Sequence, residues 1–335
     1  MTLRTTKKVL VVRLSSIGDI VLTTPVLRSL KQAQPGWTLH YLTKADFVPL
    51  LAHNPYVDRI HTFDGAWQPL LARLRDEHYD HVLDLHHNLR TLCLKLALGV
   101  AATSVHKRNL DKYLLVRSKR LVPPIPHIVE RYGDTLLGLG LHLDEEGLEL
   151  YLDAASEAAA TAALGDFAVG QAMAVVLGAQ YATKRWPAAQ VSDWLLRWQR
   201  PAVLIGGPDA RSDADAIVRA LPDGYPLFDA VARHDLLTSA AILRRCRAAL
   251  SNDTGFMHIA AAFGMQVFSL WGSTVPALGM TPYRTPHHLL EVSGLSCRPC
   301  SKIGHARCPR GHFRCMNDLS PETVMQAVKR WEEGQ

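Results

Sequence analysis

The chain has 335 residues, of which 48% are hydrophobic and 20% are charged. This length corresponds to about two domains, and the apolar share excludes an intrinsically disordered chain. No apolar run approaches the roughly 20 residues that span a bilayer, and no cleavage site follows the short run Val9–Val12. We therefore expect a soluble, cytoplasmic, globular protein.

Positive charge is concentrated in two stretches of a chain whose net charge is +6. Residues 88–131 include nine basic and two acidic residues, and residues 297–315 include five basic residues and no acidic one. Clusters of this kind suit polyanions such as nucleic acid, anionic lipid or a phosphorylated substrate. A solvated basic surface without a partner is the alternative interpretation.

Short apolar runs, typical of strands, alternate with segments of helical periodicity in the first half of the chain. Strands are predicted at Val9–Leu14, Thr38–Leu42, Arg59–Phe63 and His81–Leu85. Helices are predicted at Ile20–Ala33, Phe47–Ala52, Ala66–Glu77 and Leu89–Leu98. Strands separated by helices of this length are typical of βαβ units and a parallel sheet.

The same alternation begins again in the second half. Strands are predicted at Met173–Leu177, Ala202–Ile205, Ala248–Ser251 and Val267–Leu270. Helices are predicted at Ala154–Leu164, Ala188–Gln199, Leu236–Cys246, Met257–Phe263 and from Glu322 to about Glu333. The sequence therefore predicts an α/β protein of two halves that join near residues 155–170, with ligands bound beyond the carboxyl ends of the strands.

The first candidate site follows the first predicted strand. Ser16, Gly18 and Asp19 lie in a turn that leads into a helix. A carboxylate at the end of a strand can act as a general base. The alternative is that Asp19 caps the helix and favours its dipole. The pattern lacks the G-x-G-x-x-G fingerprint of dinucleotide binding.

Three loops of the second half form the other candidate site. They contain Lys184, Gly206-Gly207-Pro208 and the segment Asn252–His258, and each follows a predicted strand. Glycines, a lysine and free N–H groups at a helix start can hold a diphosphate, so a nucleotide-diphosphate pocket is predicted. The alternatives are helix capping for Asp253 and Thr254 and a buried structural histidine for His258.

These motifs resemble those of the bacterial ADP-heptose:lipopolysaccharide heptosyltransferases, glycosyltransferase family 9. The similarity covers nearly the whole chain and rests on the segments Ser15–Ile20 with Thr24-Pro25, Lys184–Pro187, Gly206–Pro208 and Asp253–Ala261. It implies a GT-B fold, in which two Rossmann-like parallel-sheet domains face a cleft. Residues 1–160 would bind the acceptor, residues 161–318 would bind the nucleotide sugar, and residues 319–335 would form a helix that crosses back to the first domain.

The resemblance also implies roles for individual residues. Asp19 matches the catalytic base. The positions implied for the acceptor are Ser16, Gly18, Asn88 and Arg90. The positions implied for the donor are Thr183, Lys184, Gly207, Asp253, Thr254, Gly255 and His258. Where some members have a glutamate for the ribose, this chain has Asp209–Asp213, so that role is open.

The implied reaction moves a heptose from ADP-heptose to a lipopolysaccharide inner-core acceptor with inversion. Asp213 and Asp215 belong to a predicted helix, where residues two apart point in different directions, so we expect no catalytic metal. One alternative is a transferase that uses another nucleotide-diphosphate sugar for a different surface glycan. Another is a non-catalytic polyanion-binding protein. Because Tyr113 is the lone aromatic residue of its basic stretch, we expect no nucleic-acid partner.

Two features outside these motifs carry further expectations. The spacing of Cys297, Cys300, Cys308 and Cys315 permits a structural zinc, although thiol pairs or free cysteines also fit. The basic stretch Lys107–Arg120, with apolar residues at Leu114–Val116, suggests contact with a phosphorylated lipid A core and the cytoplasmic face of the inner membrane. A peripheral membrane location would follow, and a solvated helix is the alternative.

Overall fold

The computed structural model describes residues 6–120 and 124–334. The chain divides into two compact units, one of Met1–Lys107 and Pro126–Tyr151 and the other of Arg108–Ile125 and Leu152–Gln335. This division differs from the predicted boundary near residue 160. Residues 108–120 and 124–125 belong to the second unit, in which the buried Leu115 packs against Leu278.

Eleven strands form the two sheets of the described residues 6–120 and 124–334. They are β1 (Lys8–Val12), β2 (Thr38–Lys44), β3 (Arg59–Phe63), β4 (His81–Asp84), β5 (Ala101–Ser104), β6 (Met173–Val176), β7 (Ala202–Ile205), β8 (Leu227–Asp229), β9 (Ala248–Asn252), β10 (Gln266–Trp271) and β11 (His287–Glu291).

The α-helices of the described chain connect these strands or follow the last of them. They are α1 (Ile17–Val21), α2 (Thr24–Ala33), α3 (Trp67–Asp76), α4 (Leu89–Leu98), α5 (Asn109–Ser118), α6 (Ile128–Gly133), α7 (Ala154–Leu164), α8 (Ala188–Trp198), α9 (Arg211–Ala220), α10 (Leu236–Arg244), α11 (Gly255–Ala262), α12 (Arg314–Asn317) and α13 (Pro321–Glu333).

The first unit contains a parallel sheet with the strand order β3-β2-β1-β4-β5. Residues Val9–Val12 of the central strand β1 have no exposed surface, as their continuous apolar run predicts. The strand order reverses between β1 and β4, which pair directly. Loops at the carboxyl ends of such a strand pair are where sheets of this type bind ligands.

The predicted helix Ile20–Ala33 consists of two helices in the structure. Helix α1 ends at Val21 and α2 begins at Thr24, with Pro25 in its first turn. Proline has no N–H and is tolerated in a first turn but not in a helix interior. The break keeps α1 to about one turn, four residues after the end of β1.

The second unit contains a parallel sheet with the strand order β11-β10-β9-β6-β7-β8. Counted within this unit, the order is that of a Rossmann fold, with the reversal between β6 and β9. All residues of β6, β7 and β9 are buried, which explains their apolar sequences. The segments that follow β6, β7 and β9 contain the predicted donor residues.

The last helix completes the core of the second unit. In α13, Val324, Met325 and Val328 are buried in the same cluster as residues of the sheet. Trp331 contacts Phe268 edge to face, with ring centroids 5.6 Å apart. The helix therefore packs into the core of the second unit. That this segment crosses back to the first domain stays a prediction. Gln335 lies outside the described residues.

No helix in the described part of the chain is long and apolar enough to cross a membrane.

Candidate active site

The loop after β1 brings an arginine and a carboxylate together. Arg13 follows β1 directly, and Asp19 lies in the first turn of α1. Nη2 of Arg13 is 2.6 Å from Oδ1 of Asp19, and 12% and 23% of the two side chains are exposed. The guanidinium also donates to the carbonyl oxygens of Ser15 and Leu85 at 2.7 and 2.8 Å. These bonds fix Arg13 at the carboxyl ends of β1 and β4.

Ser16 binds the other carboxylate oxygen of Asp19. Oδ2 accepts hydrogen bonds from the backbone N–H and the hydroxyl of Ser16, at 3.2 and 2.8 Å. Burial raises the pKa of Asp19, but the charge of Arg13 and the bonds from Ser16 outweigh burial and hold this pKa below the ordinary 3.8. Asp19 is therefore ionised at neutral pH. The bond from the Ser16 N–H is a helix-capping contact. The side chain of Asp19 therefore helps to cap α1 and also supplies a negative charge.

Asn88 and Arg90 lie at the start of α4, with different surroundings. The side-chain oxygen of Asn88 accepts from the N–H of Thr91 at 3.0 Å, and the Thr91 hydroxyl accepts from the N–H of Asn88 at 2.9 Å. Asn88 is thus the cap of α4. Arg90 is exposed and lines a groove of about 500 Å³ together with Lys44 and Trp67. Of these two residues, Arg90 presents its charge to solvent.

A buried aspartate shapes the loop before α4. Asp84 has no exposed surface, and its Oδ2 lies 2.9 Å from Nζ of Lys95. Its Oδ1 accepts hydrogen bonds from the backbone N–H groups of His86 and His87, at 3.1 and 2.7 Å. The carboxylate therefore holds the turn that follows β4.

Two predicted donor residues form an ion pair in the second unit. Nζ of Lys184 is 2.7 Å from Oδ2 of Asp253, and 17% and 9% of these side chains are exposed. The same oxygen accepts the hydroxyl of Thr274 at 2.8 Å. Lys184 comes from the loop after β6 and Asp253 directly follows β9, so the pair lies where the strand order reverses.

Thr183 connects three loops of the second unit. Its hydroxyl donates to the carbonyl oxygen of His305 at 3.0 Å and accepts from the His305 N–H and the Ser273 hydroxyl, both at 2.8 Å. Thr183 is 2% exposed. A Cβ at Gly272 would lie 2.5 Å from the carbonyl oxygen of Thr183, so only glycine fits beside it. Thr183 therefore holds the loop that carries Lys184.

The remaining residues predicted from the Asp253 segment lie on helix α11. Thr254 is the residue before the helix and has an extended backbone, and Gly255 is the first helical residue. Both are partly exposed, so N–H groups of the first turn lie near solvent. His258 is 3% exposed and belongs to the buried face of α11. The position of His258 therefore agrees with the alternative of a buried structural histidine.

Gly207 lies after β7, next to an aspartate held by an arginine. Oδ2 of Asp209 is 2.8 Å from Nη2 of Arg185. Arg185 also donates to the carbonyl oxygens of Ala179 and Asp209, at 2.7 and 2.8 Å. A Cβ at Gly207 would lie 3.0 Å from Oδ1 of Asp209. This network joins the loops after β6 and β7.

The carboxylates of Asp213 and Asp215 face arginines. Oδ2 of Asp213 is 3.8 Å from Nη1 of Arg185, and Oδ1 of Asp215 is 2.9 Å from Nη2 of Arg211. Both residues lie on α9, as predicted. These ion pairs explain the two charges without a metal.

The late cysteines are thiols, and none forms a disulfide in the described part of the chain. The Cys300 thiol donates to the carbonyl oxygen of Cys297 at 3.2 Å, and Sγ of Cys297 is 3.8 Å from Nε2 of His312. Burial raises the pKa of Cys315 to about 11 and also raises the pKa of Cys300, so both favour the protonated thiol. With Cys308, they do not form a group whose sulfur atoms all lie within 4.8 Å of one another. The structure therefore gives no support to the predicted zinc.

The first unit contains a histidine cluster that was not predicted from the sequence. Ligand atoms of His40, His61 and Glu77 all lie within 4.8 Å of one another, as in metal sites. The hydroxyl of Tyr79 lies 2.9 and 3.0 Å from the two imidazoles, which are 3.1 Å apart. Glu77 is bound by Lys8 at 2.8 Å and also by an arginine of β3. Nδ1 of His40, Nε2 of His61 and the carboxylate of Glu77 therefore have hydrogen-bonding or ionic partners within the fold.

Arg13 and Thr274 contribute to these sites without having been predicted, and Asn252, which the sequence placed in the donor loop, has a structural contact. Asn252 accepts the N–H of Trp186 at 3.0 Å, which ties the end of β9 to the loop after β6. The signal for Arg13 was its position, a charge at the end of an apolar strand. Nothing in the local sequence marks Thr274, because it meets Asp253 through the fold.

Comparison with known proteins identifies the family. Residues 67–308 match the model of glycosyltransferase family 9 (heptosyltransferase). Lipopolysaccharide heptosyltransferase 1 of Pseudomonas aeruginosa is 26% identical over 335 residues, which cover 94% of this chain and 92% of that protein.

Solved structures show the same fold at low sequence identity. A family 9 glycosyltransferase from Veillonella parvula has a TM-score of 0.79 at 22% identity and covers 98% of each chain. The ADP-heptose LPS heptosyltransferase II of E. coli has a TM-score of 0.73 at 21% identity, with 97% of this chain and 99% of that chain covered. These similarities confirm the predicted GT-B class of α/β fold. The chain belongs to glycosyltransferase family 9, the heptosyltransferases, and is an enzyme of glycosyl transfer.

Proposed function

We propose that this enzyme transfers a heptose from ADP-heptose to an inner-core sugar of lipopolysaccharide, with inversion at the anomeric carbon. The observation that carries the proposal is that each unit holds one charged group of the required sign at its strand reversal, Asp19 in the first and Lys184 in the second. The names of the relatives, which include an ADP-heptose enzyme, support the choice of donor and acceptor.

Asp19 acts as the general base in this reaction. A sugar hydroxyl is a weak nucleophile near neutral pH, and removal of its proton by a carboxylate accelerates attack. The ion pair with Arg13 keeps Asp19 ionised, and the bonds from Ser16 fix its orientation. As the hydroxyl oxygen bonds to the anomeric carbon, the bond to the diphosphate breaks and the proton passes to Asp19.

Lys184 stabilises the departing diphosphate. Negative charge accumulates on the leaving group, and a preorganised cation lowers the energy of that transition state. The first turn of α11, at Thr254 and Gly255, offers backbone N–H groups to the same anion. Asp253 would then hold Lys184 before the donor binds and share it afterwards.

The proposed reaction uses no metal. Lys184 and the start of α11 supply the positive potential that a metal would otherwise give. Asp213 and Asp215 pair with Arg185 and Arg211, and we assign them no metal. The four late cysteines have no part in the chemistry, and we propose no structural zinc for them.

We also propose that α5 contacts an anionic membrane surface. Leu110, Tyr113 and Leu114 are 68%, 63% and 43% exposed, and their spacing puts them on one face of the helix. Leu115, which the sequence grouped with the exposed residues, is buried against Leu278. The segment is rich in cations: Lys107, Arg108, Lys112, Arg117, Lys119 and Arg120. Exposed apolar residues among basic ones are typical of helices that lie in the headgroup region.

Donor choice is tested with purified enzyme and ADP-heptose, UDP-glucose and GDP-mannose, each offered with heptose-deficient lipopolysaccharide. We expect transfer from ADP-heptose alone, and ADP should raise the melting temperature more than UDP or GDP. Transfer from a UDP- or GDP-sugar in place of ADP-heptose would favour a different surface glycan. Absence of transfer, with binding that falls steeply with salt, would favour a polyanion-binding protein.

Membrane contact is tested by sedimentation with phosphatidylcholine vesicles that contain or lack phosphatidylglycerol. The triple variant Leu110→Ser, Tyr113→Ser, Leu114→Ser should lose binding to the anionic vesicles. Leu196→Ser is the matched control, because Leu196 is 41% exposed on α8. Equal binding by the triple variant and the wild type would exclude α5 as the contact.

A further inference from the structure

The two imidazoles of the histidine cluster lie on one face of the first sheet. Leu42 of β2 pairs with His61 of β3, and His40 lies two residues before Leu42. Because alternate residues of a strand share a face, both rings lie on the same side of the sheet. His40 is 5% exposed and His61 is 7% exposed. Glu77 and Tyr79 reach this face from the segment between α3 and β4.

The potential ligand atoms of the cluster have separations close to those of a metal site. Nδ1 of His40 is 3.1 Å from Nε2 of His61 and 3.8 Å from Oε2 of Glu77. Nε2 of His61 is 4.0 Å from Oε1 of Glu77. Tetrahedral zinc, with bonds of about 2.0 to 2.2 Å, puts its ligand atoms about 3.3 to 3.6 Å apart. Shifts of about half an ångström or less would therefore let these atoms enclose such an ion.

Hydrogen bonds alone leave the cluster incomplete. The hydroxyl of Tyr79 lies 2.9 Å from Nδ1 of His40 and 3.0 Å from Nε2 of His61, and the two nitrogens also contact each other. In either protonation state, a ring nitrogen carries a proton or accepts one but cannot do both, and the hydroxyl has a single proton. At most two of the three contacts can therefore hold a proton of their own. A cation at the centre would instead accept a lone pair from each atom.

Glu77 has acceptor capacity beyond its two ion pairs. Nζ of Lys8 is 2.8 Å from Oε2 of Glu77, and Arg59 binds Oε1. A carboxylate has about four acceptor sites, so these oxygens can bind a metal as well. Carboxylates that ligate metals are themselves held by hydrogen bonds of this kind. The side chains of Lys8 and Arg59 are 32% and 61% exposed, so water screens their charges and an ion can enter from this side.

We propose that His40, His61 and Glu77 bind a divalent cation of the zinc class. The hydroxyl of Tyr79 supplies the fourth position. Two imidazole nitrogens and a carboxylate oxygen are a ligand set that zinc uses in proteins. The ion would join β2, β3 and the segment before β4, and so stabilise the first sheet. The site takes no part in the proposed reaction, because Tyr79 precedes β4 whereas Asp19 follows the carboxyl end of β1.

Metal titration of the full-length protein, first stripped with a chelator, tests the site. Zinc is added in a calorimeter and in a thermal melt, and cobalt(II) serves as a coloured probe of the ligands. His61→Asn and Glu77→Gln should each weaken zinc binding at least about tenfold. Both should also lose the rise in melting temperature that zinc gives the wild type. Cobalt bound to the wild type should have visible absorption bands that His61→Asn removes.

His78→Asn is the matched control, because His78 is exposed, lies next to Glu77 and has a φ of 52°, which asparagine tolerates. It should retain the wild-type affinity. Absence of zinc binding by the wild type, or equal affinity in wild type, His61→Asn and Glu77→Gln, would overturn the assignment. A cobalt spectrum with a thiolate band that is unchanged in His61→Asn would overturn it too, since the late cysteines would then hold the ion. Glu77→Gln keeps the side-chain volume, so the test stands even if His61→Asn does not fold.

Discussion

The two units hold opposite charges at equivalent strand ends, and they hold them differently. In the first unit, Arg13 binds two carbonyl groups as well as Asp19, and both oxygens of the carboxylate have partners. In the second unit, the flexible stem of Lys184 reaches Asp253 across two loops, and Thr274 also binds that carboxylate. The first arrangement keeps an anion charged and fixed. The arrangement in the second unit can release Lys184 to a ligand, because Asp253 would keep its hydrogen bond from Thr274.

The largest expected effect comes from removing the fixed anion. Asp19→Asn should lower kcat by about 10² to 10⁴, the usual contribution of a general base. Binding of ADP, measured by calorimetry, should stay unchanged, since Asp19 belongs to the first unit. The exposed Asp76→Asn serves as control. A transfer rate close to that of the wild type would contradict the catalytic role of the anion in the first unit.

Removing the releasable cation should have the next largest effect. Lys184→Met should lower kcat/KM for the donor by about 10² to 10³, because the departing diphosphate loses its counter-charge. The variant should also be less stable, since Asp253 is nearly buried and loses an ion pair.

The double variant Lys184→Met, Asp253→Asn separates these two losses. It should regain thermal stability, because no buried carboxylate is left without its cation. It should not regain turnover. Recovery of turnover would mean that Lys184 serves only to neutralise Asp253.

The smallest expected effect is structural. Thr183→Val removes the bonds of the hydroxyl to His305 and Ser273, and we expect a loss of about 1 to 3 kcal/mol in the free energy of unfolding. Thr183→Ser should retain most of it. Donor KM should change less than in Lys184→Met. An unchanged melting temperature with abolished donor binding would instead mean that Thr183 touches the donor directly.

The degree of burial of each strand explains which strands could be predicted from the sequence. The central strands β1, β6 and β9 each contain a run of three or four consecutive apolar residues, and all were predicted. The missed strands β5, β8 and β11 each lie at a sheet edge and contain exposed or half-buried residues. An edge strand needs no continuous apolar run, and of the four edge strands in the described residues β3 alone, in which buried residues alternate, was predicted.

Contacts of the candidate site could be predicted where the residues involved lie close together in the sequence. Asp19 and Ser16 lie within one turn, so their contact follows from a short motif. The pairing of Lys184 with Asp253 depends on β6 and β9 being neighbours, which a strand pattern alone does not specify. The resemblance identified both residues, but their ion pair emerges only from the fold.

The pH dependence of transfer most directly tests the claim that Arg13 keeps Asp19 ionised as the base. A carboxylate with a lowered pKa stays ionised until the pH falls through that pKa, so the wild-type rate should persist to below about pH 4. In Arg13→Gln the burial of Asp19 is no longer outweighed by a cation, its pKa rises, and the acid limb should move to higher pH. The same acid limb in both proteins, or a wild-type limb near neutral pH, would contradict the account.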